Sequence, residues 1–360
     1  MKLCIIVGTR PEIIKMAPLI KYASAHKLNY FIIHTNQHYS RNMDKVFFDE
    51  LELPHPAYNL NVGSGLASKQ TGLMLERIET VLLKELPDIV LVEGDTNTVL
   101  AGALAASKLG IKTGHVEAGL RSYDRTMPEE INRIVTDHAS DFLFCPTEKS
   151  RKIALGEGIP AEKLFVTGNT IVDSVFQHIE LAKKKSGILE KLHLGKDGYF
   201  LLTAHRPSNV DTKDALHKLL SLLKNLYSEF KCPIIYPVHP RTKKNLEAFK
   251  LKLPDGVRLI EPVGFLDFLY LEKNAKLIIT DSGGVQEEAC ILKIPCITIR
   301  ENTERPETVD VGANMLVGLD MEKALLASKK MIAKERNWKN PFGDGSSAEK
   351  IMKIIEQHLR

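Results

Sequence analysis

Long apolar runs, a secretion signal and paired cysteines are all missing from this 360-residue sequence. Since no apolar run approaches the ~20 residues of a membrane-spanning helix, we expect no membrane partner. The five cysteines, at positions 4, 145, 232, 290 and 296, lack the paired spacing of a metal site. An odd number of cysteines without a signal-peptide pattern predicts a protein of the reducing cytoplasm.

The signatures of several common enzyme classes are also missing. The sequence has no G-x-G-x-x-G fingerprint, no G-x-x-x-x-G-K-[ST] loop, no G-x-S-x-G elbow and no H-E-x-x-H motif. Its formal net charge of +4 is mild for this length, and no dense basic run accompanies it. These absences disfavour a dinucleotide cofactor, a zinc hydrolase and a nucleic-acid partner.

Short β-rich runs alternate with longer helical runs, and the pattern restarts near residue 198. Continuous apolar strands separated by helices predict parallel sheets that are covered on both faces. We therefore expect an α/β protein of two doubly wound, Rossmann-like domains, residues 1–170 and 171–346, that face a central cleft. The last run, 347–360, carries isoleucines and a leucine on one stripe and is predicted to be an amphipathic helix.

The stretch Asp281–Glu288 joins a predicted buried strand to a helix. Gly283 and Gly284 would let backbone come close to a ligand, at which the first N–H groups of the helix would point. Ser282 adds a hydroxyl, and Glu288 lies where a carboxylate could meet a sugar hydroxyl. The pattern predicts a metal-free site for a nucleotide diphosphate. The alternative is a capped helix whose glycines serve packing.

Charged residues follow the other predicted strands, where ligands bind in sheets of this kind. The first half contributes carboxylates, of which Glu117 ends an apolar strand and so favours a function. Asp95 has capping of the next helix as its alternative, and Glu129 also suits the first turn of a helix. The second half contributes basic groups after its strands, His205 and Arg305, which suit phosphate or acid–base chemistry.

Nine motifs occur in the order of one enzyme family: G-T-R-P-E-I-I-K, G-D-T-N-T, G-H-V-E-A-G-L-R, P-E-E-I-N-R, T-G-N-T-I-V-D, A-H-R, Y-P-V-H-P, D-S-G-G-V-Q-E-E and T-E-R-P-E. The sequence resembles the non-hydrolysing UDP-N-acetylglucosamine 2-epimerases from residue 2 to about residue 350. The resemblance implies a GT-B fold, usually in a homodimer, whose terminal helix crosses back to the N-terminal domain. It implies neither a metal nor a redox cofactor.

The resemblance also implies roles for residues. Asp95, Glu117 and Glu129 match the acidic catalytic group, with Glu117 and Glu129 as the proton-transfer groups on opposite faces of the sugar, and His205 matches the active-site histidine. The other matches bind the UDP part of a UDP-sugar or assist catalysis: the basic residues Arg10, Lys15, Arg133 and Arg305, the phosphate-binding Ser282, Gly283 and Gly284, the ribose-binding Glu288, and Phe268 near the uracil.

The implied activity is reversible C2 epimerisation of UDP-N-acetylglucosamine, through elimination of UDP and its re-addition to 2-acetamidoglucal. Four alternatives stay open: a 2-epimerase of UDP-2,3-diacetamido-glucuronate, a hydrolysing epimerase that releases N-acetylmannosamine, a GT-B glycosyltransferase and a silent sugar-nucleotide-binding protein. Residues 39–44 and 69–70 depart from the bacterial pattern at a second UDP-N-acetylglucosamine site, which disfavours activation by substrate.

Overall fold

The computed structural model of the protein describes residues 1–37 and 47–359. Of the departures from the bacterial pattern, those at 39–44 lie outside these ranges. The chain forms two compact units, Met1–Gln177 with Phe342–Arg360, and His178–Pro341. The boundary expected at residue 170 falls on the first residue of the helix Thr170–Lys185, which passes from one unit to the other.

The first unit is built on a parallel sheet of seven strands, in the order β3-β2-β1-β4-β5-β6-β7. Its strands are β1 (Lys2–Val7), β2 (Asn29–His34), β3 (Tyr58–Asn59), β4 (Ile89–Glu93), β5 (Lys112–Val116), β6 (Phe142–Cys145) and β7 (Leu164–Val166). Its described helices include α1 (Arg10–Ala25), α2 (Ala67–Glu85), α3 (Asn97–Lys108), α4 (Pro128–Ala139), α5 (Glu148–Gly156) and the first turns of α6 (Thr170–Lys185). A short 3₁₀ turn covers Ala161–Lys163.

The second unit repeats the design with six parallel strands, in the order β10-β9-β8-β11-β12-β13. Its strands are β8 (Phe200–Thr203), β9 (Ile234–Pro237), β10 (Val257–Ile260), β11 (Leu277–Thr280), β12 (Cys296–Thr298) and β13 (Asn314–Leu316). Its described helices include α7 (Ile188–Leu192), α8 (Pro207–Val210), α9 (Lys213–Phe230), α10 (Pro240–Ala248), α11 (Phe265–Asn274), α12 (Gly283–Leu292), α13 (Pro306–Asp310) and α14 (Met321–Ala333).

Both sheets confirm the predicted parallel, doubly wound class. The central strands are buried along their whole length, as in β4 and β11, because helices cover both faces. In each sheet the strand order reverses beside the first strand, between β1 and β4 and between β8 and β11. Ligands of such folds bind outside the carboxyl ends of strands at this reversal point. The loops that leave these four strands are therefore the expected ligand-binding regions.

The last described helix, α15 (Ser347–His358), belongs to the first unit, where it packs on α1. Its apolar stripe is buried at Ile351 and Ile355. The carboxylate of Asp173 accepts hydrogen bonds from the first N–H groups of the helix, at Ser347 (3.2 Å) and Ala348 (2.9 Å). Among the described helices, none has the length and apolar character that crossing a membrane requires.

Candidate active site

Glu12 joins the loops at the reversal point of the first sheet. Its carboxyl group accepts the N–H of Gly8 (2.6 Å) and the hydroxyls of Thr9 (2.9 Å) and Thr96 (2.6 Å). Burial raises the pKa of Glu12 to about 7 despite these donors. The hydroxyl of Thr96 also accepts the Thr98 N–H, so Thr96 rather than Asp95 caps α3. Glu12 therefore links the loop after β1 to the loop after β4, and candidate site residues lie in or directly after these two loops.

Lys15 on α1 lies between two buried carboxyl groups. Its ammonium contacts Glu117, directly after β5, and Glu93 at the end of β4, at 3.2 Å. Asn169 also donates to Glu117, at 3.1 Å. Burial, and then the charge of Glu117, raises the pKa of Glu93 well above its ordinary value, with Lys15 opposing. Three ionisable groups with one positive charge thus meet at the carboxyl ends of two adjacent strands.

Glu117 is held in an unusual backbone conformation. Its φ is +70°, in the left-handed region that non-glycine residues seldom adopt. Such strain persists only where the surroundings fix it, and it is concentrated at functional sites. The sequence marks Glu117 because a carboxylate follows an apolar strand, and Glu93 at the buried end of β4 carries the same signal.

A buried ionic cluster supports the turn that follows Glu117. Asp137 on α4 accepts from His115 (2.6 Å), Arg121 (2.7 Å) and the N–H of Gly119 (3.2 Å). The second ring nitrogen of His115 lies 2.8 Å from the carbonyl of Gly94. His115 and Arg121 lower the pKa of Asp137 although its burial opposes this.

Arg133 on α4 holds Asp95 at a second position beside the reversal point. Its guanidinium contacts Asp95 (2.5 Å) and Glu130 (2.7 Å). Glu130 is buried and also accepts the backbone N–H groups of Ser122 and Tyr123. Glu129 lies half-buried in the first turn of the same helix. The expected acidic residues therefore stand in different settings, with Asp95 paired to an arginine and Glu117 to a lysine.

Arg10, the first residue of α1, is half-buried and lies over the ring of Phe47, 4.8 Å from its centroid. A guanidinium held on an aromatic face keeps its donors free for a planar or anionic partner. The residue therefore presents positive charge near the end of β1, as expected from its place in the sequence.

Asp281 organises the reversal point of the second sheet. It is fully buried after β11 and accepts the N–H groups of His205 (3.0 Å) and Arg206 (2.9 Å) and the amide of Asn209 (3.0 Å). Its other oxygen lies 3.2 Å from the His205 ring, whose side chain is 49% exposed. Burial lowers the pKa of His205 more than Asp281 raises it. The imidazole of His205 is therefore held at the end of β8 and remains accessible.

The two glycines at the start of α12 differ in what surrounds them. A Cβ on Gly283 would lie 2.6 Å from the carboxylate of Glu304, so packing alone requires glycine there. A Cβ on Gly284 would meet only the hydroxyl of Ser282, at 3.9 Å. Within the described residues, Ser282 makes no side-chain capping hydrogen bond to the helix. The packing alternative thus accounts for Gly283, and open space adjoins Gly284.

Arg305 is buried in an ionic network rather than displayed on the surface. It pairs with Glu287 of α12 at 2.7 Å, and Arg300 pairs with Glu304 at 2.8 Å. Although burial opposes it, Arg305 and then Arg300 lower the pKa of Glu304 to about 2. The network fixes α12 to the loop that follows β12. Arg305 therefore stabilises the packing of α12, in addition to any ligand that it binds.

Glu288 and Phe268 lie on neighbouring helices of the same unit. Glu288 is in the second turn of α12 with 8% exposure, and Phe268 is half-buried on α11. The structure thus groups the candidates in two sets. One set lies in the first unit, with Arg10, Lys15, Asp95, Glu117, Glu129 and Arg133. The other lies in the second unit, with His205, Phe268, Ser282, Gly283, Gly284, Glu288 and Arg305.

Comparison with known proteins gives one consistent result. Residues 21–356 match the family model of UDP-N-acetylglucosamine 2-epimerase. The UDP-N-acetylglucosamine 2-epimerase of Methanocaldococcus jannaschii is 58% identical over 99% of each chain. Its crystal structure in complex with UDP-GlcNAc and UDP superposes with a TM-score of 0.92, over 99% of this chain and 100% of that one. The UDP-2,3-diacetamido-2,3-dideoxy-D-glucuronate 2-epimerase of Pseudomonas aeruginosa is 39% identical over 99% of each chain. The likeness confirms the predicted GT-B class.

Proposed function

Because the chain belongs to the UDP-N-acetylglucosamine 2-epimerase family, we propose that it interconverts UDP-N-acetylglucosamine and UDP-N-acetylmannosamine. The observation that carries this proposal is the 58% identity, over 99% of the chain, to an enzyme named for the activity. The buried ion pair of Lys15 and Glu117 adds to it, because inversion of a carbon centre needs a positioned base. The protein is thus an isomerase.

In the proposed reaction, a base removes the proton from C2 while the bond between C1 and the diphosphate oxygen breaks. UDP leaves anti with the bonding electrons, and a C1–C2 double bond forms in 2-acetamidoglucal. UDP then adds back to C1, and C2 receives a proton on the opposite face. Every heavy atom of the substrate is retained, the hydrogen at C2 is replaced by one that comes from the protein or solvent, and the net change is the configuration at C2.

The carbon chemistry is assigned to the first unit. We assign the two proton transfers to Glu117 and Glu129, one on each face of the sugar. Asp95, held by Arg133, would support the leaving group or tune the other carboxylates. Lys15 keeps Glu117 in place and supplies a positive charge beside it. The pairing with Lys15 supports the assignment of a base to Glu117, since a neighbouring ammonium stabilises the carboxylate form.

Retention of the leaving group is assigned to the second unit. The N-terminus of α12 offers backbone N–H groups and the Ser282 hydroxyl to the diphosphate, and Gly284 leaves room for close approach. Glu288 would bind the ribose hydroxyls and Phe268 would lie near the uracil. We also assign His205 and Arg305 to this role. Arg10 and Arg133, which belong to the first unit, are likewise assigned to UDP binding or catalysis. UDP held in this way stays available for re-addition.

The substrate with the most support among related UDP-sugars is UDP-N-acetylglucosamine. The relative that acts on a diacetamido-glucuronate is 39% identical, against 58% for the N-acetylglucosamine enzyme. A uronate would require a basic partner for its extra carboxylate. Arg206 is a candidate for this partner, with a side chain that is 29% exposed. Its guanidinium, however, already contacts the carboxylate of Glu304 at 3.4 Å.

The test is to incubate the protein with UDP-N-acetylglucosamine in deuterated water and follow the proton NMR spectrum. We expect UDP-N-acetylmannosamine with deuterium at C2. Free N-acetylmannosamine together with UDP would instead identify a hydrolysing enzyme. If C2 exchanges no proton with this substrate, the proposed reaction is wrong and UDP-2,3-diacetamido-glucuronate becomes the substrate to test.

We further propose a homodimer in the reducing cytoplasm. All five cysteines are buried free thiols, a state that a reducing compartment preserves. Sedimentation velocity at several protein concentrations tests the dimer. A single monomeric species at micromolar concentration would contradict it.

A further inference from the structure

Asp137 is a buried carboxylate to which the proposed reaction gives no role. It lies on α4 with 0% exposure. One of its oxygens is 2.6 Å from the ring of His115, and the other is 2.7 Å from the guanidinium of Arg121 and accepts the N–H of Gly119 at 3.2 Å. A carboxylate removed from water needs such partners, and these all come from β5 or the residues that directly follow it.

The first link from Asp137 leads to the turn that carries Glu117. Both Glu117 and Gly119 have left-handed backbone conformations, with φ of +70° and +78°. A Cβ added to Gly119 would lie 2.3 Å from the carbonyl oxygen of Ser150 on α5. The turn is therefore held between α5 and the carboxylate on α4. Strained backbone of this kind persists only where its surroundings fix it, and Asp137 supplies one of the fixing contacts.

The second link leads to the loop that carries Asp95. The ring of His115 is 1% exposed and lies between Asp137 and the carbonyl oxygen of Gly94, which is 2.8 Å from its second nitrogen. Gly94 directly precedes Asp95 and has a φ of +90°. The imidazole thus connects the carboxylate on α4 to the loop after β4, and its position is fixed at both ends.

The third link is α4 itself. The same helix carries Glu129 in its first turn, and its Arg133 contacts the carboxylate of Asp95 at 2.5 Å. The groups assigned to the carbon chemistry therefore belong to three separate segments: Asp95 to the loop after β4, Glu117 to the turn after β5, and Glu129 to α4. All three segments meet at the carboxylate of Asp137.

We propose that Asp137 is a positioning residue for the epimerisation, which fixes the segments of Asp95, Glu117 and Glu129 relative to one another. The inference rests on the proposed function, in which these three carboxylates act at the sugar. It deepens that function by adding a residue that acts through others. Removal and return of a proton on opposite faces of C2 require well-placed carboxyl groups, and a displacement of about 1 Å can cost roughly 10²-fold in rate.

The first test is Asp137→Asn, which keeps the shape of the side chain and removes its charge. The new amide group would direct a donor at a site where Arg121 and Gly119 already donate, so at least one contact is lost. We expect kcat to fall by roughly 10²-fold, with KM for UDP-N-acetylglucosamine and the affinity for UDP within a few-fold of wild type. Proton NMR in deuterated water measures turnover, and calorimetry measures UDP binding.

Asp173→Asn provides the matched control. Asp173 is also a buried carboxylate of the first unit, with 2% exposure, and it accepts the first N–H groups of α15. Its replacement should lower the melting temperature and leave kcat of the folded protein within a few-fold of wild type. A fall in kcat as large as that of Asp137→Asn would show that loss of any buried carboxylate has this effect, and would overturn the inference.

Two variants of His115 test the link to the loop of Asp95 and do not depend on Asp137→Asn folding. Glutamine can keep the contact that the second ring nitrogen makes with Gly94, and asparagine can keep the contact with Asp137. Each variant breaks the connection at one end, so each should lower kcat while KM changes little. Since both links act through one carboxylate, adding His115→Gln to Asp137→Asn should lower kcat little further.

The possible results separate the inference from the function on which it rests. A wild type that exchanges no proton at C2 shows that the proposed function is wrong. If the wild type epimerises, and the folded Asp137 and His115 variants keep kcat within a few-fold while only their melting temperatures fall, Asp137 has a purely structural role and the inference alone fails. Fully additive losses in the double variant would also contradict a shared route through Asp137.

Discussion

Lys15 and Glu117 form an ion pair across 102 residues of sequence, in the interior of the first unit. The pair predicts that Glu117→Gln removes turnover while UDP binding changes little. Glutamine keeps the shape and still accepts from Lys15, yet it cannot take a proton from carbon. We expect kcat to fall by roughly 10²–10⁴-fold, measured by NMR, with UDP affinity by calorimetry within a few-fold of wild type. Preserved turnover would contradict the role assigned to this carboxylate.

The backbone of Glu117 supports a prediction about stability. At φ +70° a glycine is unstrained and an alanine is not, so Glu117→Gly should be more stable than Glu117→Ala by about 1 kcal/mol. Both variants lose the same contacts with Lys15, and the pair therefore isolates the backbone term. Urea denaturation of both proteins gives the difference.

Lys218 provides the matched control for that comparison, because it is exposed within α9. There the order should reverse, with alanine more stable than glycine by roughly 1 kcal/mol. The same order at both positions would show that strain at Glu117 is absent in solution.

The open space beside Gly284 predicts a separation of binding from folding. Gly284→Ala adds a methyl group that meets no atom closer than 3.9 Å, so the melting temperature should be unchanged or higher. If the diphosphate approaches the backbone here, UDP affinity should fall by about tenfold or more, equivalent to roughly 1.4 kcal/mol. Calorimetry and thermal melting measure the two effects.

Two further glycines serve as controls for Gly284. An added Cβ on Gly156, at the end of α5, would have no neighbour within 4 Å, and the alanine variant should bind UDP normally. Gly283→Ala would place its Cβ 2.6 Å from Glu304 and should destabilise the protein. Normal UDP affinity in Gly284→Ala would show that the diphosphate lies elsewhere.

Glu12 predicts a pH dependence of stability near neutrality. Its pKa is raised from 4.5 to about 7 in the folded protein. The folded state therefore binds this proton more tightly than the unfolded state does. The resulting stabilisation is complete below the unfolded pKa and is lost as the pH rises through the folded value.

Relative to Glu12→Gln, the wild type should lose up to about 3 kcal/mol of unfolding free energy between pH 5 and pH 8. Glutamine has nearly the same shape and does not titrate, so the difference between the two proteins reports this one group. Denaturant titrations at the two pH values measure it. If the difference in unfolding free energy does not change with pH, the pKa of Glu12 is not raised, and the hydrogen bonds from Gly8, Thr9 and Thr96 outweigh the effect of burial on that pKa.

The residues at strand ends are the part of the site that sequence reasoning predicts well. The buried strand predicted before Asp281 is β11, and the apolar strand predicted at Glu117 is β5, which ends directly before that residue. Parallel topology then sends Asp95, Glu117 and Asp281 to the carboxyl edges. Apolar runs are local features of the sequence, and the direction of the chain fixes which end of each strand faces the ligand.

Contacts between distant residues are the part that could not be predicted. Nothing in the pattern around Lys15 shows that its ammonium reaches two carboxyl groups, since Glu93 and Glu117 belong to other elements. The Asp137 cluster is similar, because a polar residue on a helix usually faces solvent. The space at Gly283 is likewise limited by Glu304, which belongs to the loop after β12.

The position of α15 has a consequence for the order in which the protein is completed during synthesis. The ribosome delivers all of residues 178–341 before the helix that packs on α1. Until that helix emerges, the carboxylate of Asp173 lacks the hydrogen bonds from the N–H groups of Ser347 and Ala348. Domains commonly finish in the order in which they are translated. Here the unit that is begun first is closed last, and a nascent chain stalled before residue 342 should carry a finished second unit beside an unfinished first one.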